Sequence, residues 1–154
     1  MNEMTGVDPG AALDALVQPL DVLIVGAGIS GIAAARYLRV DRPCDSFTAL
    51  DEKETFGGTW VTHRYPGIRS DSDLHTFGYG FKPWVGPPIA TAEEIRDYMG
   101  EVIEENALGP DIHYGWRISD AAWHSEDALW TVTATHGATG TERRISARFL
   151  WMCQ

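Results

Sequence analysis

A GxGxxG string, Gly26-Ala27-Gly28-Ile29-Ser30-Gly31, stands directly after the apolar run Leu20-Asp21-Val22-Leu23-Ile24-Val25 and opens a helix-compatible pattern over residues 29–39. A strand buried on both faces reads as such a run, and the glycines that follow permit a tight turn into a helix. A second short strand is expected over residues 46–50, ending at Asp51, 20 residues after the third glycine. Strand, helix and strand at this spacing make a βαβ unit, which dictates an α/β fold with a parallel sheet. The expected class is therefore α/β, with a Rossmann-like βαβ unit at its centre.

Each glycine has a distinct task in that context. Gly26 allows the turn, Gly28 lets the backbone approach a pyrophosphate, and Gly31 lets helix and strand pack closely, with phosphate at the helix N-terminus. Asp51 is placed to accept a hydrogen bond from an adenosine ribose hydroxyl. A free 2′-hydroxyl suits FAD or NAD and disfavours NADP at this loop, and the residues alone leave FAD and NAD both open.

Further along, residues 55–88 are punctuated by Gly and Pro yet rich in Trp, Tyr and Phe, the signature of an ordered loop serving a site. Thr91 followed by Glu94 is a capping box, so a helix is expected from residue 92 to about 106, burying Ile95, Tyr98, Met99, Val102 and Ile103 against the sheet. Three β-like runs, residues 112–123, 129–136 and 144–153, predict a small antiparallel meander. The last, ending Phe149-Leu150-Trp151-Met152-Cys153, reads as a strand buried on both faces. A buried strand one residue from the end of the chain reads as an interrupted domain. Residues 1–19 are expected to be a tail, or a loose helix over residues 11–17, and residues 20–154 an incomplete nucleotide-binding domain.

Composition excludes several partners. The chain has 154 residues, with 22 acidic against 12 basic side chains and a formal net charge of -10, a field that repels nucleic acid and anionic lipid. The longest weakly polar stretch, residues 22–35, is shorter than the roughly 20 residues needed to cross a bilayer. No basic n-region precedes an apolar run at the N-terminus, so a cytoplasmic protein is expected. Cys44 and Cys153 stand far apart and read as reduced, structural thiols. The five histidines, His63, His75, His113, His124 and His136, never pair at helical spacing, so no metal site is expected. Trp116, Trp123 and Trp130 are expected to pack as cross-strand aromatic pairs, His124 and His136 to lie exposed at strand ends, and Glu101, Glu104 and Glu105 to form a solvated helix face.

Three strings carry a more specific signal: Phe56-Gly57-Gly58-Thr59-Trp60, then Arg64-Tyr65-Pro66-Gly67-Ile68-Arg69-Ser70-Asp71-Ser72-Asp73, then Phe81-Lys82-Pro83-Trp84. Residues 20–154 resemble the class B flavin-dependent monooxygenases, of the Baeyer–Villiger and flavin-containing type, in the branch of the ethionamide-activating monooxygenases. The resemblance implies FAD at the glycine loop, NADPH as reductant held mostly by a further domain, and oxygen transfer to a small ketone, thioether or amine. It implies that Gly26, Gly28, Ser30 and Gly31 hold the pyrophosphate, and that Asp51 stands where the family usually has the longer Glu. Gly58, Thr59, Trp60, Val61 and Thr62 match the stretch passing beside the flavin, with Val61-Thr62-His63 departing from the family's residues. Arg69, Ser70 and Asp71 match the motif facing the isoalloxazine and nicotinamide, with Asp71 as the active-site acid, and Ile118 falls at the adenine end. Read without the family, Asp71 is an ordinary loop cap in an Asx-turn.

The family's second GxGxxG and later catalytic Arg have no counterpart here, since GxGxxG occurs once. The resemblance therefore implies an N-terminal FAD segment that is inactive alone, with the other half acting in trans as one option. A non-catalytic FAD or NAD module is the alternative.

Overall fold

The computed structural model describes residues 9–16 and 18–154; the expected tail over residues 1–8 and the Val17 end of the expected loose helix lie outside them. A short helix α1 (Ala11–Asp14) precedes strand β1 (Leu20–Val25), helix α2 (Ile29–Asp41) and strand β2 (Phe47–Leu50), which together are the anticipated βαβ unit. Two single-turn helices, α3 (Thr59–Thr62) and α4 (Leu74–Phe77), interrupt the long loop before helix α5 (Ala92–Glu105). Four strands follow: β3 (Ile112–His113), β4 (Trp116–His124), β5 (Leu129–His136) and β6 (Glu142–Met152).

All six strands form one sheet in the order β3-β2-β1-β6-β5-β4. The β3, β2, β1 and β6 strands run parallel, whereas β6, β5 and β4 pair antiparallel. The meander is thus continuous with the parallel part of the sheet, and β6 belongs to both halves. The expected run over residues 112–123 divides at Tyr114-Gly115. Gly115 adopts φ 76°, which turns the chain between β3, paired to β2, and β4, paired to β5.

Two apolar clusters hold the sheet. On one side Val22, Ile24 and Ala49 pack with Ile32 and Ala35 of α2 and with Ile95, Met99 and Val102 of α5. The capping box of α5 is formed in full: the Thr91 hydroxyl accepts from the Glu94 amide at 3.2 Å, and the Glu94 carboxylate accepts from the Thr91 amide at 2.7 Å. The second cluster joins Leu23, Leu50, Trp116, Val132 and Ile145 with Leu13 of α1. An ion pair from Arg143 to Asp14 at 2.6 Å ties α1 to β6.

The end of β6 differs from its sequence reading. Phe149, Trp151 and Met152 are 56%, 39% and 52% exposed, so this segment is not buried on both faces. Among the described residues the main neighbours of β6 are β1, β5 and α1. Phe149 and Trp151 instead meet edge-on, with ring centroids 6.3 Å apart.

Candidate nucleotide-binding site

Parallel strands place the ends of β1, β2 and β6 at one edge of the sheet, the position at which doubly wound folds bind ligands. A cleft of about 660 Å³ opens there, within the usual range of roughly 300–1,000 Å³ for small-molecule sites. Gly26, Gly28 and Ser30 line it from the glycine turn, Asp51 from the end of β2, Gly58, Thr59, Trp60 and Thr62 from the GGTW segment, and Ile118 from β4. Gly31, Val61, Arg69, Ser70 and Asp71 are outside this lining.

The glycines are required by close approaches. A Cβ on Gly31 would stand 1.9 Å from the Gly26 carbonyl oxygen, which is backbone and cannot swing aside. Gly26 has φ 105°, and a Cβ there would meet the Cys153 carbonyl oxygen at 2.8 Å. The Gly28 backbone faces Gly58, whose φ is 53° and whose Cβ would lie 3.0 Å from the Gly28 Cα. Two bare backbones thus face one another at the cleft, joined by a hydrogen bond from the Gly57 amide to the Ala27 carbonyl at 3.0 Å. No side chain caps α2 at Gly28, so the positive end of a 13-residue helix opens onto the cleft.

Asp51 is the buried acid of the site, 6% exposed. Its Oδ2 accepts from the Ala27 amide at 2.6 Å and its Oδ1 from the Lys53 amide at 2.8 Å. A carboxylate has about four acceptor positions, so lone pairs remain beyond these two bonds. The residue expected from its spacing to be a ribose acceptor is therefore also the brace of the glycine loop.

The segment carrying Arg69, Ser70 and Asp71 is held mainly by its own backbone and by Ala90. Ser70 is buried, its amide donating to the Ala90 carbonyl and its hydroxyl accepting from the Ala90 amide at 3.1 Å. Arg69 donates to the Gly67 carbonyl at 3.2 Å and lies exposed, bridging Thr91 through its backbone. Asp71 is exposed and accepts from the Ser72 hydroxyl at 3.1 Å. Asp73, two residues on, caps α4 through the His75 amide at 2.8 Å.

Several lining residues escaped sequence reading. Glu52 and Lys53 follow Asp51 directly, while Trp116 and Arg117 enter from the start of β4. Cys153, expected to be a structural thiol, lines the cleft, and its amide donates to the Val25 carbonyl at 2.8 Å. Burial pushes its thiol pKa up. Trp116 pairs across the strands with His136, not with another Trp, at a centroid distance of 5.1 Å, so His136 is half-buried and not exposed at a strand end. Trp123 and Trp130 do pair, at 5.6 Å. The Gly115 turn that brings Trp116 to the cleft is the one signal that could have located this wall.

Elsewhere, Glu101 and Glu105 are exposed on α5, and both pair with Lys82, at 3.0 and 2.6 Å. Cys44 and Cys153 are both free. Among the described residues there is no group of three metal-ligating side chains and no helix long and apolar enough to cross a membrane.

Comparison with known proteins agrees with this geometry. The model of the NAD(P)-binding Rossmann-like domain family matches residues 24–101. The FAD-containing monooxygenase MymA of Mycobacterium tuberculosis is 42% identical over 137 residues, covering 88% of this chain and 28% of the relative. The FAD-containing monooxygenase EthA of Mycolicibacterium smegmatis is 40% identical over 139 residues, covering 90% of this chain and 28% of the relative. Among solved structures, an oxidized steroid monooxygenase bound to NADP superposes with a TM-score of 0.77 at 32% identity, over 88% of this chain and 26% of its own. The complex of OTEMO with FAD and NADP superposes with a TM-score of 0.75 at 27% identity, over 88% of this chain and 26% of its own. The chain thus spans less than a third of the length of these proteins.

Proposed function

This chain belongs to the NAD(P)-binding Rossmann-like domain family, and on that premise we propose that it is the FAD-holding part of an NADPH- and O2-dependent flavin monooxygenase. The observation that carries the reading is the cleft in which the uncapped start of α2, the facing Gly28 and Gly58 backbones and the buried Asp51 carboxylate converge. A pyrophosphate needs amides and a positive helix end with no side chain in the way, and a ribose needs a hydrogen-bond acceptor at the end of the neighbouring strand. The uncapped start of α2 at Gly28 and the Asp51 carboxylate at the end of β2 support this reading.

In this reading Gly26, Gly28 and Ser30 hold the pyrophosphate, and Asp51 takes a ribose hydroxyl with the lone pairs left free by Ala27 and Lys53. Trp116 and Ile118 form the adenine wall, and Thr59, Trp60 and Thr62 run alongside the flavin end. Bound FAD supplies the redox chemistry that moves one oxygen atom of O2 to a ketone, thioether or amine at the expense of NADPH. The chain's own contribution is to bind and orient the cofactor and to keep water from its buried edge. Arg69 and Asp71, exposed on their loop, are proposed to face the nicotinamide, where a carboxylate and a guanidinium can orient its amide through charge-assisted hydrogen bonds. The two free cysteines suit the cytoplasmic compartment that the sequence predicts.

NADPH delivery is assigned to residues other than these, because the chain carries one glycine-rich loop. The test is a paired assay on the 154-residue chain. FAD binding is expected to be measurable by quenching of flavin fluorescence, without NADPH oxidation in the presence of a ketone or thioether. Steady turnover would contradict the assignment of chemistry to a larger protein. Retention of NAD in place of FAD would favour a simple dinucleotide-binding module.

A further inference from the structure

We infer that Tyr79 is a positioning residue of the pyrophosphate site, acting through the Ile29–Ser30 peptide from 50 residues away. Its hydroxyl donates to the Ile29 carbonyl at 3.0 Å, in the first turn of α2. A peptide unit is planar and trans, so its C=O and N–H point in opposite directions. Fixing the Ile29 oxygen therefore fixes the direction of the Ser30 N–H, which belongs to the same peptide. Ser30 lines the cleft at the open end of the helix, where amides meet an anion.

The phenol is itself tightly held. Tyr79 is 6% exposed, and its ring stacks between Phe81, at 4.8 Å, and Tyr98, at 5.2 Å. Its amide donates to the Tyr98 hydroxyl at 2.7 Å, and that hydroxyl donates to the Lys82 carbonyl. Burial also raises the Tyr79 pKa, so the hydroxyl keeps its proton and remains a donor at any working pH. A donor on the Ile29 oxygen polarises the peptide and strengthens the Ser30 N–H as a donor toward phosphate. The loop of residues 78–84 thus contributes to the glycine turn without touching the cleft.

The inference rests on the reading of the cleft as an FAD site, and its test separates the two. Affinities for FAD and for ADP are measured on the full chain and on the variants Tyr79→Phe and Thr91→Ala, with thermal midpoints recorded in parallel. Tyr79→Phe keeps the stacked ring and removes one hydroxyl. Its affinity for both ligands is expected to fall about tenfold as the Ser30 N–H loses its fixed direction and its polarisation. Thr91→Ala removes a hydroxyl bonded to Glu94 at the start of α5, with no bond to Tyr79 or to α2. Its thermal midpoint is expected to fall while its affinities stay within about twofold of the wild type.

Equal affinities for wild type and Tyr79→Phe, or equal losses in both variants, would overturn the positioning role and leave the FAD site standing. A wild type that takes up neither FAD nor ADP would overturn both. Should Tyr79→Phe fail to fold, 3-fluorotyrosine incorporated at position 79 keeps the ring and supplies a more acidic hydroxyl. Tighter ADP binding is then expected, and unchanged binding overturns the inference.

Discussion

The Asp51 carboxylate accepts the Ala27 amide at 2.6 Å, joining the end of β2 to the middle of the glycine turn that follows β1. The two residues are adjacent only because β1 and β2 pair in parallel, with Val25 opposite Leu50. One carboxylate oxygen therefore braces the glycine loop proposed to hold phosphate, while the other fixes the Lys53 amide at 2.8 Å.

Replacing this acid by Ala leaves two buried or half-buried amides without their acceptor. The expected cost of Asp51→Ala is about 2–3 kcal/mol, since bonds to a charged group are the stronger kind. Chemical denaturation of the variant measures it. FAD affinity should fall by at least about tenfold as the turn loses its brace. A variant of wild-type stability would show that the Ala27 bond contributes nothing to the loop.

Gly31→Ala should be among the most damaging small substitutions in the chain. The added methyl meets the Gly26 carbonyl oxygen at 1.9 Å, and relief requires α2 to move away from β1. Overpacking of this kind costs about 3 kcal/mol, and the displaced helix end should abolish FAD binding. Thermal denaturation and a flavin titration on the same sample report both effects.

Thr91→Ala tests the start of α5, remote from the cleft. Loss of the hydroxyl that accepts from the Glu94 amide should cost about 1 kcal/mol, with FAD affinity unchanged. A matching loss of affinity would show that α5 is coupled to the site.

A pH effect is expected from His113 on β3. Its half-buried ring disfavours the imidazolium, which outweighs the attraction of Asp111 and lowers its pKa. The unfolded chain then binds a proton more readily than the folded one. Stability is full above the ordinary imidazole value, about 6.5, and is lost as pH falls below it toward the lowered folded value. Urea midpoints between pH 5 and 7 should fall with acidity, and His113→Gln should flatten that limb. An unchanged slope in the variant would assign the dependence to other groups.

Much of the centre of the fold was legible because its signals are local. The GxGxxG turn, the apolar run of β1, the spacing to Asp51 and the Thr91–Glu94 box each lie within a few residues of what they specify. What escaped depends on pairing over long distances. Nothing local tells that β6 lies parallel to β1, with Phe149 opposite Val22, and so joins the meander to the parallel sheet. Nor does an apolar composition tell that Phe149, Trp151 and Met152 lie exposed. The cleft shows the same division. Gly26, Gly28 and Asp51 were readable from spacing, whereas Trp116 and Arg117 reach it through the single left-handed residue Gly115.

Equilibrium binding of FAD to the purified 154-residue chain tests the central claim most directly. Gel filtration with excess FAD, followed by a visible spectrum, should give a monodisperse yellow protein carrying flavin near one to one, with Asp51→Ala colourless under the same conditions. Colourless wild-type protein that also fails to bind ADP would contradict the assignment of this cleft to FAD.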